Sequence, residues 1–242
     1  MSDRYDRQTM IPEIGDDGQR KLADAKVLVI GAGGLGTTII YHLAAAGVGT
    51  IGVADNDIVS LSNLNRQFIH FEDDIGKEKV VSAKEKINKF NSEIKVVPYA
   101  SFVDENNANE IIKDYDIVAI AVDNQKARNI INKACVDLDK PFADGGVNGF
   151  VGTSSFFVPG ETPCLSCLYG LDLPPEENYS AVSSVVGMIA SIETTSVLQY
   201  ILGLPIPLKG NLLYCDAMNA EFDTLPLKFN KTCPICGGKR RS

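Results

Sequence analysis

The segment Val27-Leu28-Val29-Ile30 runs directly into Gly31-Ala32-Gly33-Gly34-Leu35-Gly36, and this junction restricts the folds open to the chain more than any other stretch. The short apolar run, too short to span a membrane, reads as a buried strand, and the residues through Ala46 read as a helix. Gly31, Gly33 and Gly36 stand between them with the G-x-G-x-x-G spacing. The first makes the turn tight, the second lets backbone approach a phosphate, and the third lets helix and strand pack closely. Amides at the start of such a helix offer partial positive charge to an anion. A second strand, 50–54, ends in Asp55, close to the roughly 20-residue offset at which a carboxylate reaches ribose hydroxyls. These residues predict a nucleotide site; a strand-to-helix turn built for geometry alone would carry the same glycines.

The residues after Asp55 add to the case for a ligand. The polar stretch from Asp57 to Gln67 places Asn63, Arg66 and Gln67 just past a strand's carboxyl end, where ligands of open α/β sheets sit. Residues 76–91 read as an amphipathic helix with Val80, Ala83 and Ile87 on one face, Lys77, Lys84 and Lys86 turned away, and Lys79 beside the apolar stripe. A strand is expected at 94–99, a helix at 105–113, and at 117–122 an almost purely apolar strand, as burial on both faces requires. That strand stops at Asp123, which suits either a Mg²⁺ ion shared with phosphates or the N-cap of a helix over 124–138.

From Pro141 the βα alternation ends. Strands are expected at 142–146, 149–158, 212–215 and 221–227, with an apolar helix over 184–202 and an exposed, mobile stretch from Tyr169 to Ser183. Residues 1–25 form a charged arm with a helix over 16–23, where Leu22 and Ala23 could dock on the sheet. The predicted fold class is α/β: a Rossmann-like, mostly parallel sheet with helices on both faces, continued by antiparallel strands and a C-terminal zinc-bound segment. The expected organisation is one domain over 1–242, with the arm (1–25), a nucleotide-binding half (26–145) and a zinc-containing half (146–242).

A net charge of -8 argues against nucleic acid or a membrane surface as the main partner. The opening residues lack a signal-like apolar core and no run approaches about 18 apolar residues, so a cytoplasmic location is expected. In a reducing compartment cysteines serve as metal ligands or buried thiols. Cys164/Cys167 and Cys233/Cys236 form two C-x-x-C pairs, and their thiolates would complete a closed, structural Zn²⁺ shell. A redox C-x-x-C is the competing reading. Cys135 and Cys215 read as core residues, and His42 and His70 as structural.

In combination, Arg4-Tyr5-Asp6-Arg7-Gln8, Gly31 to Gly36, Asp55-x-Asp57 and Ser62-Asn63-Leu64-x-Arg66-Gln67 resemble the ThiF/MoeB/HesA family, bacterial relatives of ubiquitin-activating enzymes. The similarity runs from Arg4 to Gly237. It implies an adenylyltransferase that uses ATP and Mg²⁺ to activate the C-terminal carboxylate of a small ubiquitin-like sulfur carrier ending in Gly-Gly, with release of pyrophosphate. It also implies that Arg66 and Lys79 reach ATP phosphates, that Asp123 holds the metal in a pattern with Asn124 and Arg128, and that Arg7 acts in trans within a homodimer. Gly31, Gly33, Gly34, Gly36, Asp55, Asn63 and Gln67 complete the implied nucleotide set. Ser180 stands where some relatives carry a reactive cysteine, so adenylation is the expected step and sulfur comes from a separate donor. The alternatives are an NAD-dependent oxidoreductase and a zinc-stabilised nucleotide-binding module without catalysis. The resemblance also makes 146–242 the carrier-binding half. Whether the activated partner is a carrier of the thiamin or molybdopterin type, another ubiquitin-like protein or a short peptide is open at this point.

Overall fold

A computed structural model describes residues 3–171 and 180–237; most of the stretch expected to be mobile lies outside them. After two short helices, α1 (Asp6–Thr9) and α2 (Gly15–Asp24), the chain enters β1 (Lys26–Ile30), turns at the glycines and forms α3 (Gly34–Ala46). Then come β2 (Thr50–Ala54), α4 (Lys79–Phe90), β3 (Lys95–Tyr99), α5 (Ala108–Ile112), β4 (Ile117–Ile120) and α6 (Gln125–Asp137). The remainder is β5 (Phe142–Asn148), β6 (Val151–Phe157), α7 (Leu165–Tyr169), α8 (Ser183–Leu202), β7 (Asn211–Asp216) and β8 (Glu221–Pro226).

All eight strands share one sheet in the order β3-β2-β1-β4-β5-β6-β7-β8. β1 to β5 run parallel, and the last three pair antiparallel. The order reverses between β1 and β4, which opens a crevice at their carboxyl ends.

Both faces of the parallel part are covered because β1 is apolar at every second position on each side. Val27 and Val29 join one core with Ile39, Leu43, Val80 and Val197, while Leu28 and Ile30 join the other with Ile112, Ile131 and Phe157. At about 25 cal/mol per Å² of apolar area removed from water, these two layers are the main stabilising term. α8 is long and apolar enough to cross a membrane by length and composition alone. Half of it is buried inside the fold, and it carries the fully buried Glu193. Its seat is the sheet.

Three expectations need correction. Leu22 docks as expected, but Ala23 is exposed and Ala25 is the second buried residue, because α2 ends at Asp24 and the chain turns inward there. Lys86 does not simply face solvent: it folds over buried Asp74, 2.5 Å from its carboxylate. The helix expected over 105–113 is shorter, since Asn107 and Asp104 hold a turn ahead of it through side-chain bonds to backbone. The first C-x-x-C pair opens a short helix, α7.

Candidate active site and metal centre

A cleft of about 760 Å³ opens at the switch point. Into its wall project Gly31, Gly33, Gly34, Asp55, Asn63, Arg66, Gln67, Lys79 and Asp123, from four separate elements. Gly36 lies just beneath, packed against the glycine turn.

The glycines have separate reasons. Gly31 has φ +102°, and a Cβ there would strike the Ala121 carbonyl; a Cβ on Gly36 would overlap the Gly31 carbonyl. Those two are required by the protein itself. At Gly33 a Cβ would meet only Gln67 Nε2 at 3.8 Å, so the space in front of this backbone is empty of protein. α3 has no side-chain N-cap, and its first-turn amides face that space. Gln67 is buried, and its Oε1 has no hydrogen-bond partner among the described residues. Orphan buried polar atoms are costly. Together, an open glycine cradle, uncapped helix amides and an orphan amide oxygen fit an anionic, polar ligand such as a nucleotide.

The charged residues are held by backbone. Asp55 Oδ2 accepts the Ala32 amide at 2.7 Å and Oδ1 the Asp57 amide at 2.8 Å, so this carboxylate pins the glycine turn to the end of β2. Lys79 is buried and pairs at 2.8 Å with Asp57, whose side chain is 61% exposed. Arg66 Nη1 donates to the Ser62 carbonyl and to Asn65 Oδ1. Asn63 Oδ1 accepts the Ser60 amide and closes the turn that presents Arg66. The helix after β4 is capped by Asn124, whose Oδ1 accepts the Ala127 amide at 2.8 Å. Of the two roles open to Asp123 in the sequence, the cap is thus filled by its neighbour, and Asp123 stands exposed at the cleft.

Arg7 is not part of this cleft. Its arm docks at the opposite ends of the strands, where Gln8 donates to the Ala46 carbonyl and the Tyr5 hydroxyl accepts from Asn91. His42 is held by Ser191, and buried His70 by Ser82 and the Ala32 carbonyl, behind the glycine turn. Burial lowers the pKa of both histidines. Ser180 does reach the cleft, where its Oγ donates to Asn148.

One cluster is not anticipated by the motifs. Arg128, a cleft residue, is ion-paired with buried Asp144 and donates to the carbonyls of Val122 and Gly145. Behind Gly145 sits Glu193, fully buried, with no hydrogen-bond partner for either carboxylate oxygen among the described residues. Burial raises the Asp144 pKa to about 6 against the opposing pull of Arg128, and burial together with Asp144 raises that of Glu193 well above the carboxylate range. Arg128 was legible as part of a pattern with Asp123; its two acidic neighbours were not.

The four cysteines of the C-x-x-C pairs converge. Their sulfurs all lie within 4.8 Å of one another, with Cys164–Cys233 at 3.6 Å and Cys167–Cys236 at 3.4 Å. A tetrahedral ion at about 2.3 Å from each sulfur implies edges of about 3.8 Å, close to these separations. Burial and neighbouring sulfurs push the Cys164 thiol up, and burial raises Cys167 to about 11, so an ion bound here would have to displace thiol protons. All six cysteines are free thiols, and Cys135 and Cys215 are buried in the core as expected.

The ThiF family profile matches residues 5–235. The chain is 37% identical to a sulfur carrier protein adenylyltransferase of Thermus thermophilus, covering 97% of this chain and 90% of that protein. It is 35% identical to the SAMP-activating enzyme E1 of Haloferax volcanii, covering 97% and 88%. Among solved structures, E. coli MccB with ATP superposes with a TM-score of 0.85 at 26% identity, over 98% of this chain and 74% of that one. A switch-point cleft with an open glycine cradle, joined to a four-cysteine cluster and matched along nearly its whole length, places the chain in the ThiF family.

Proposed function

We propose that this chain is an E1-like adenylyltransferase that activates the C-terminal carboxylate of a small ubiquitin-like sulfur carrier with ATP and releases pyrophosphate. The observation that carries this reading is the free cradle at Gly33 beside the orphan Gln67 oxygen, on a wall that also presents Arg66, Lys79 and Asp123. The names of the Thermus and Haloferax relatives supply the substrate class. A carboxylate oxygen attacks the α-phosphorus, an acyl O–P bond forms, and the bond to pyrophosphate breaks. The nucleophile is already ionised near neutral pH, so no general base is required. The reaction needs alignment and charge neutralisation instead.

In this reading the α3 amides hold phosphate oxygens, Asp55 takes the ribose, and Lys79 leaves the solvated Asp57 to meet the triphosphate. Asp123 would hold Mg²⁺, which when bound neutralises phosphate charge. The cysteine cluster would hold Zn²⁺ in a structural role. Docked at the far ends of the strands, Arg7 would act on a neighbour's nucleotide in a homodimer, as arginine fingers do elsewhere. With serine at 180, sulfur would arrive from a separate donor, and a cytoplasmic setting suits the free thiols.

The test is mass spectrometry of candidate carriers ending in Gly-Gly, and of a short peptide control, after incubation with enzyme, ATP and Mg²⁺. An AMP adduct on a carrier's terminal carboxylate is expected; adducts only on the peptide would replace the substrate class. Mixing Arg7→Ala with Asp123→Ala chains under subunit exchange should restore activity in mixed dimers. Confirmed exchange without recovery would remove the trans role.

A further inference from the structure

Helix α6 has two ends with different neighbours. Its first turns, through Ala127, Arg128 and Ile131, form a wall of the nucleotide cleft. Its last turn puts Val136 against Cys164 and Cys233. Between them lies a polar ladder on one helical stripe, Gln125, Asn129 and Asn132, at the spacing that puts side chains on a common face.

Asn132 is the rung nearest the cysteines and is completely buried. Its Oδ1 accepts the Leu165 amide at 3.1 Å, and since that amide can only donate, the orientation of the side chain is fixed. The Nδ2 group must then face the other way, where it donates to Ser166 Oγ at 2.9 Å and approaches Cys164 Sγ at 3.7 Å. Ser166 passes the connection on to Asn129 Oδ1 at 3.3 Å, and Gln125 donates to the same oxygen at 3.3 Å. Asn129 in turn donates to the Leu171 carbonyl. A fully buried amide spent on one sulfur and on the two residues after it is more than packing requires. An N–H donor on a metal-bound thiolate is the kind of outer-shell contact that orients a ligand and disperses its negative charge.

We infer that Asn132 is the positioning residue of the cysteine centre and that, through the Ser166–Asn129–Gln125 ladder on α6, it links metal occupancy to nucleotide binding. This rests on reading the cluster as a metal site and the cleft as a nucleotide site. Metal would fix Cys164 and α7, these would fix Asn132 and Ser166, and the start of α6 would then hold the cleft wall in place. Such a linkage is reciprocal: nucleotide must tighten metal by the same factor by which metal tightens nucleotide.

Co²⁺ is the probe, because its thiolate charge-transfer bands report the sulfur environment without turnover. Its affinity is measured for the parent, Asn132→Ala, Asn132→Asp and Ser166→Ala, each with and without ATP, with ATP binding followed by calorimetry and folding by circular dichroism. Asn132→Ala should weaken Co²⁺ by about 10- to 100-fold. Asn132→Asp should weaken it further, although it is the better match in shape, because a carboxylate replaces a donor beside a thiolate. Ser166→Ala removes only the ladder and should keep parental Co²⁺ affinity. ATP should tighten Co²⁺ in the parent by about 5-fold or more and have no such effect in the three variants. Parental Co²⁺ affinity in Asn132→Asp, or a parent that binds ATP without any change in Co²⁺ affinity, would overturn the inference. If the asparagine variants fail to fold, Ser166→Ala alone decides the linkage. A parent that binds no ATP would instead remove the nucleotide reading itself, and the linkage with it.

Discussion

Two ion pairs border the same cleft and are built in opposite ways. In Lys79–Asp57 the cation is buried and its carboxylate is 61% exposed, whereas in Arg128–Asp144 both side chains are nearly enclosed and a further acid, Glu193, lies behind them. The first pair can be opened cheaply, since water solvates the carboxylate once the lysine turns to another anion. Its contribution to stability is correspondingly small. The second cannot open without stranding a charge in the interior. In the proposed reading Lys79 therefore serves the ligand and Arg128 the architecture of the cleft, although both are cations on the same wall.

The largest effect should come from breaking the enclosed pair. Asp144→Ala should cost about 3–5 kcal/mol of unfolding free energy, read from urea denaturation. A loss under about 1 kcal/mol would mean that solvent reaches this pair and that the two pairs are alike after all.

Lys79→Ala should show the converse profile. Adenylation should fall by about 100-fold, comparable to loss of one donor to a charged transition state, while the unfolding midpoint barely moves. A variant that turns over normally, or one that is grossly destabilised, would erase the contrast.

The smallest effect is a pH dependence. Glu193 has a raised pKa in the folded chain, so between its unfolded value near 4.3 and that raised value the native state binds the extra proton. Stability contributed this way is full at low pH and is lost as pH rises, by up to about 1.4 kcal/mol per pH unit. Asp144 adds the same sign over a narrower window, ending at about 6. Glu193→Gln keeps the shape of the neutral acid, so it should flatten the decline above about pH 6 and be more stable than the parent at about pH 8. An unchanged slope would show that Glu193 is ionised in the folded chain.

How much could be read from the chain depends on how local each signal is. The strand–turn–helix around Gly31 to Gly36 is determined by neighbours in sequence, and its close contact at Gly36 lies within one turn of the φ demand at Gly31. The cysteine pairs were readable because metal spacing is itself a local pattern. By contrast, Glu193 sits in an apolar helix and meets Gly145 only through the packing of α8 on β5, and no local pattern encodes that meeting. The cap before α6 was ambiguous because Asp123 and Asn124 are both good capping residues; only backbone geometry chose Asn124. Lys86 read as a solvated charge because its partner, Asp74, lies in the preceding loop rather than one helical turn away.

The central claim is that this cleft joins a carboxylate to the α-phosphate of ATP, and exchange of labelled pyrophosphate into ATP tests it most directly. The expected result is exchange that requires Mg²⁺ and a carrier with a free C-terminal carboxylate, and that disappears in Asp123→Ala while that variant remains folded. Exchange that persists undiminished in Asp123→Ala, or no exchange with any carrier or peptide despite measurable ATP binding, would contradict it.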